Sequence, residues 1–139
     1  MFDPSAFIVG LGVILATAFA TWCVSVRKRD VSIVDSMWPL FFVVAALGYA
    51  ATVPHRGPRT SLVLVLLALW ALRLSGYLTW RNWGQPEDHR YQAIRRANEP
   101  HFWLKSLFMV FGLQGTLAWI VSLPLLAAMA ARGGLNAID

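Results

Sequence analysis

The sequence predicts an all-α, polytopic membrane helix bundle: four transmembrane helices plus a short helix on the cytoplasmic surface. Three observations carry that prediction. The chain has 139 residues, of which 58% are hydrophobic and only 14% charged, where soluble domains carry about 25%. Four runs, about residues 7–26, 31–53, 61–80 and 104–130, reach the roughly 20 apolar residues that a bilayer span requires. The basic residues are also unevenly placed. Eight Lys and Arg (27, 28, 29, 81, 90, 95, 96 and 105) fall in the loops after the first and third runs, against three (56, 59 and 132) on the other side. This is the positive-inside bias. It puts the two basic loops in the cytoplasm and both termini outside, and it explains the net charge of +5 without nucleic acid. Basic residues beside spans also attract anionic lipid headgroups.

The first run is a retained span rather than a signal peptide, because the leader MFDPSA has no basic residue and Arg27, Lys28 and Arg29 follow the apolar stretch. Its Gly10, Gly12, Ala16, Ala18 and Ala20 permit close helix approach. Cys23, the lone cysteine, excludes an internal disulfide and is read as a small apolar core residue. The turn PHRGPR makes spans two and three an antiparallel hairpin. His55, His89 and His101 sit in separate connectors at no ligand spacing, so no metal is expected.

Residues 81–103 form the substantial polar connector. Within it, residues 86–98 read as a short helix, with Pro86 at the first position, Glu87 and Asp88 at the positive end, and Arg95 and Arg96 at the negative end. Asn98 suits a left-handed cap and Pro100 stops continuation. Tyr91 and Ile94 share a face, and Trp80, Trp83 and Trp103 suit a headgroup belt. The helix either only lies at the interface or also lids a site. In span four, Pro124 predicts a kink.

Charges inside spans are the most informative residues, because burying a guanidinium in hydrocarbon costs about 2.5–3.5 kcal/mol or more. Ser32, Asp35, Ser36 and Pro39 form one stripe of span two, and Arg73, Tyr77 and Arg81 one stripe of span three. At about 1.5 Å per residue, Asp35 lies roughly 8 Å below Asp30, Arg73 about 12 Å below Arg81, and Gln114 about 13 Å below Lys105. Two readings follow. One is a structural Asp35–Arg73 ion pair, weak evidence for stability in itself. The other is a cytoplasm-facing pocket lined by Asp35, Trp38, Arg73, Tyr77 and Gln114, able to hold an apolar substrate by one polar handle. A phenol and a carboxyl are suited to donating a proton to a carbonyl.

The stretches DVSIVDSMW (residues 30–38), LWALRLSGYLTWRNWGQPEDHRYQAIR (69–95) and FWLKSLFMVFGLQGTLAWIVSLP (102–124) resemble the bacterial branch of the steroid 5-alpha-reductase-like membrane proteins, long grouped as a domain of unknown function. The resemblance covers nearly the whole chain. It implies an inner-membrane bacterial enzyme reducing a carbon–carbon double bond conjugated to a carbonyl in a steroid- or lipid-like substrate, with NADPH from the cytoplasm. It matches Asp35 and Tyr77 to the carboxyl and tyrosine that hold the substrate carbonyl; taken with the pocket, catalysis is expected of Asp35, Tyr77 and Arg73, substrate contact of Trp38 and Gln114, and cofactor contact of Arg81, Asn82 and Tyr91. The acid of the steroid reductases is a glutamate where this chain has Asp35. The family also runs to about twice this length and carries most cofactor contacts in its second half. The chain thus resembles an N-terminal half, inactive alone, with a missing C-terminal half or second chain as a partner. A non-enzymatic membrane module and a methyltransferase-type relative using S-adenosylmethionine are the other readings.

Overall fold

The computed structural model describes residues 4–54 and 57–130. Residues 55 and 56 of the expected turn, Arg132, and both chain ends lie outside the described residues. All regular structure among the described residues is helical: α1 (Pro4–Lys28), α2 (Ile33–Thr52), α3 (Pro58–Asn82), α4 (His89–Asn98), α5 (Phe102–Ser106), a π-helical turn (Leu107–Gly112), α6 (Leu113–Val121) and α7 (Leu123–Ala130). Four helical stretches, α1, α2, α3 and Phe102–Ala130, are long and apolar enough to cross a membrane. The four expected spans are therefore present, each shifted at its ends by a few residues. The fourth is interrupted by two irregularities. One is the π turn, which the sequence pattern did not signal. The other is a break at Ser122, just before Pro124, whose ring cannot continue the hydrogen-bond ladder.

The bundle is built around α2, which packs against α1, α3 and the fourth span. It buries Val34, Phe41, Phe42, Ala45, Ala46 and Tyr49. The α1–α2 approach is close enough that a side chain at Gly10 is excluded: a Cβ there would lie 2.3 Å from the Tyr49 ring. Gly115 of α6 similarly packs on Ile14, 3.3 Å from an added Cβ. Of the small residues expected to permit this packing, Gly10 and Ala18 are buried, whereas Gly12, Ala16 and Ala20 face outward. Cys23 is exposed on the outer side of α1, not in the core as expected. Its neighbours Thr21 and Ser25 hold the buried face at that level.

Polar side chains tie the spans together. In hydrocarbon, unsatisfied polar groups cost several kcal/mol, so these bonds decide which faces meet. Trp119 donates from Nε1 to the Phe7 carbonyl (2.7 Å), and Trp22 donates to the Trp103 carbonyl (2.8 Å), fastening α1 to span four at both ends. Tyr49 and Ser122 share a buried hydroxyl pair at 2.6 Å. Pro39 cannot donate to the Asp35 carbonyl, and one residue on, the Ser36 carbonyl accepts from Ser75 Oγ at 2.7 Å.

Tyr49 is fully buried and hydrogen-bonded, so it has little room to yield to a new methyl. Gly10→Ala should lower stability in detergent by about 1–3 kcal/mol, the usual cost of overpacking. Gly12→Ala, which meets nothing within 4 Å, should be neutral. Thermal unfolding of the two variants checks the pair.

Candidate functional site at the basic end of the bundle

The basic loops gather at one end of the bundle, and α4 lies across it. Asp88, not Pro86, starts α4: its carboxylate accepts from the Arg90 backbone N–H at 2.9 Å and is the N-cap. Pro86 and Glu87 stay outside the helix, which frees Glu87 for another role. The far end also departs from expectation. Asn98 closes α4 without a left-handed turn, and Glu99 follows in extended conformation. Asn98 instead donates to the Ile94 carbonyl at 2.8 Å. As expected, Tyr91 and Ile94 face the bundle, and Trp80 and Trp83 are exposed.

Two carboxylates hold α4 down. Asp35 of α2 accepts from the Tyr91 hydroxyl at 3.0 Å and from Arg90 Nη2 at 3.2 Å. Glu87, 7% exposed, accepts from both Arg95 Nε (3.0 Å) and Nη2 (2.9 Å). Its Oε2 also takes the Val31 backbone N–H at 2.7 Å. A bidentate Arg–carboxylate pair that also satisfies a backbone donor is among the strongest arrangements available to these groups. Arg95 further covers the Phe102 ring, 4.8 Å from its centroid.

Asp35 is therefore paired, but not with Arg73. The Asp35–Arg73 pair is absent because of helix rotation. Ser75 faces α2, and Arg73 and Tyr77 each stand two residues away, about 200° round the helix at 100° per residue. Both are exposed on the outer face of α3, Tyr77 at 51%. The predicted stripe itself exists, since Arg81 lies over the Tyr77 ring at 5.8 Å. It turns away from the other polar groups. Gln114 is half-buried on α6, and its side chain, like that of Arg73, makes no hydrogen bond to the described residues. The expected five-residue pocket of Asp35, Trp38, Arg73, Tyr77 and Gln114 is thus not assembled. Of the three residues expected at the cofactor, Arg81 lies over Tyr77, Asn82 accepts the Gln85 N–H through its backbone carbonyl at the end of α3, and Tyr91 is bonded to Asp35.

Trp38 lies one turn deeper than Asp35, edge-on to Phe42 with centroids 4.8 Å apart. Its indole N–H is buried with no acceptor among the described residues. A cleft of about 640 Å³ opens beside α4, lined by Ser25, Arg29, Glu87, Arg95, Glu99 and Trp103 among others. Arg90, Glu87 and Arg95 were not expected at a site. The one signal for them was the shallow depth of Asp35, within reach of any donor on an overlying helix.

Burial pushes the Tyr91 phenol well above its ordinary value of 10, and the adjacent Asp35 carboxylate, which accepts its proton, raises it further. A raised phenol stabilises the fold below the unfolded value and loses that contribution as pH rises through the folded value. Asp35→Asn removes the charge, so Tyr91 should ionise at lower pH than in the wild type. Carbon-13 chemical shifts of labelled Tyr91 between pH 8 and 12, with Tyr91→Phe to assign the signal, measure this directly. Arg90 also holds the half-buried Asp88 carboxyl below its usual range.

Comparison with known proteins gives a family and is silent on chemistry. A family model described as "Protein of unknown function (DUF1295)" matches residues 21–139. An uncharacterized protein of Schizosaccharomyces pombe (strain 972), C594.04c, is 30% identical over 120 residues, covering 79% of this chain and 33% of that protein. The chain spans about one third of the length of this curated relative. No solved structure matches. The family match over most of the chain places this multi-pass helical protein in the DUF1295 family.

Proposed function

We propose that the protein is a membrane-embedded reductase acting on a double bond conjugated to a carbonyl, the activity implied by its resemblance to steroid 5-alpha-reductase-like proteins. The observation that carries this reading is the orphan indole N–H of Trp38, buried one turn below the Tyr91–Asp35 hydrogen bond. A buried donor without an acceptor is costly, and a substrate carbonyl would supply the acceptor. In this proposal Trp38 donates to the carbonyl oxygen, the Tyr91 hydroxyl, held by Asp35, turns from that carboxylate to the same oxygen as the proton donor, and apolar faces of α2 and α3 receive the rest of the substrate. Tyr91 replaces Tyr77 as the phenol, because Tyr91 is the tyrosine that Asp35 touches. NADPH would supply the hydride. Tyr91 serves the carbonyl in this reading and not the cofactor, since it is bonded to Asp35.

A second reading has its own observation. Both Asp35 oxygens are occupied by α4 donors, as a purely structural latch of a non-enzymatic module requires.

Native membranes containing the protein should reduce conjugated enones in an NADPH-dependent, saturable way. Tyr91→Phe should then lower kcat by about 10²–10⁴-fold, the range for a lost general acid, while Trp38→Phe should mainly raise KM. Wild-type turnover in Tyr91→Phe would remove it from catalysis. Absence of NADPH binding and oxidation, together with destabilisation in both variants, would leave the latch reading in place.

A further inference from the structure

The cleft beside α4 has a use that the reductase reading does not include. At the C-terminus of α1 the chain turns through Arg29, which has φ 53, and the Asp30 N–H bonds back to the Ser25 carbonyl at 3.1 Å. This is the 6→1 bond of a helix C-terminal turn whose left-handed position normally holds glycine. An arginine there is strained and delivers its side chain to the cleft. Arg29 makes no hydrogen bond, ion pair or ring contact with the described residues.

The other charges of the cleft are engaged to different degrees. Glu87 and Arg95 neutralise each other at 2.9 Å, and the nearby Asp30 accepts from the Ser32 backbone N–H at 2.9 Å and from its hydroxyl. Glu99 has only Arg95, at 4.0 Å, and is 48% exposed. The Ser25 and Ser106 hydroxyls are committed to the Trp22 and Trp103 carbonyls. What remains open is one guanidinium and one carboxylate on the same concave surface. Trp22 and Trp103, stacked with centroids 6.4 Å apart, lie beside it. Tryptophans of this kind mark the headgroup level of a bilayer.

We propose that this cleft binds the headgroup of an aminophospholipid, with its phosphate against Arg29 and its primary ammonium against Glu99. An anionic lipid would satisfy Arg29 but place its remaining polar groups beside three carboxylates. A zwitterionic phosphoethanolamine matches both open charges. The position at headgroup level selects the membrane lipid over a soluble phosphoester of the same chemistry.

Native mass spectrometry of the purified protein, titrated with phosphatidylethanolamine or phosphatidylglycerol of identical acyl chains, tests this. The wild type should prefer phosphatidylethanolamine by about tenfold, the effect of one charge-assisted hydrogen bond. Glu99→Gln should abolish that preference. Arg29→Gly should weaken both lipids by about tenfold without loss of thermal stability, since glycine suits the left-handed turn; this variant separates lipid binding from folding. Equal binding of the two lipids by the wild type, or unchanged binding in Arg29→Gly, would overturn the proposal. Displacement of the lipid by millimolar glycerophosphoethanolamine would overturn its assignment to a membrane lipid.

Discussion

Glu87 is the group on which the basic end of this protein depends. It stands outside any helix, yet it joins the α1–α2 turn to α4: it accepts the Val31 N–H and two guanidinium nitrogens of Arg95. A carboxylate at 7% exposure is costly unless it is paired and hydrogen-bonded, and here three donors reach it. With α4 fixed at this point, Tyr91 and Arg90 fall within reach of Asp35, and the candidate site forms. The geometry of Asp35 is thus a consequence of Glu87.

Below this end, the same demand for satisfied polar groups orders the spans. Tryptophan N–H groups and the Tyr49–Ser122 pair supply directional bonds where apolar burial alone would not choose a rotation, because lipid is as apolar as the helix faces. Of the four spans, α3 is the least buried. Ser75 and Thr60 are its polar anchors, to Ser36 and Met129. Its Arg73 face is left outward, with a charge close to the middle of an apolar span.

Much of this was legible in the sequence. Hydropathy and the charge pattern predicted four spans and the surface helix, because both depend on runs of residues rather than on contacts. Periodicity also gave the Arg73–Tyr77–Arg81 stripe correctly. It failed at rotation: a stripe says which residues share a face, not which neighbour that face meets. The Asp35 partner was therefore misassigned to Arg73, the cation at similar depth. The charges of the connector were read as helix-end charges because Pro86 was expected to start α4. Once Asp88 takes the cap, Glu87 is free to pair with Arg95, eight residues on. Arg29 was counted only for topology, since a left-handed arginine has no sequence signature.

Hydrogen–deuterium exchange across residues 89–98 in Glu87→Gln, compared with the wild type, tests the central role of Glu87 most directly. The substitution leaves Arg95 partly buried without its counter-ion, a situation that strongly destabilises ion pairs. The account requires α4 to lose protection as a unit while α1 and α2 stay protected. Unchanged protection of α4 would contradict it and would mean that Tyr91 and Arg90 hold the helix without Glu87.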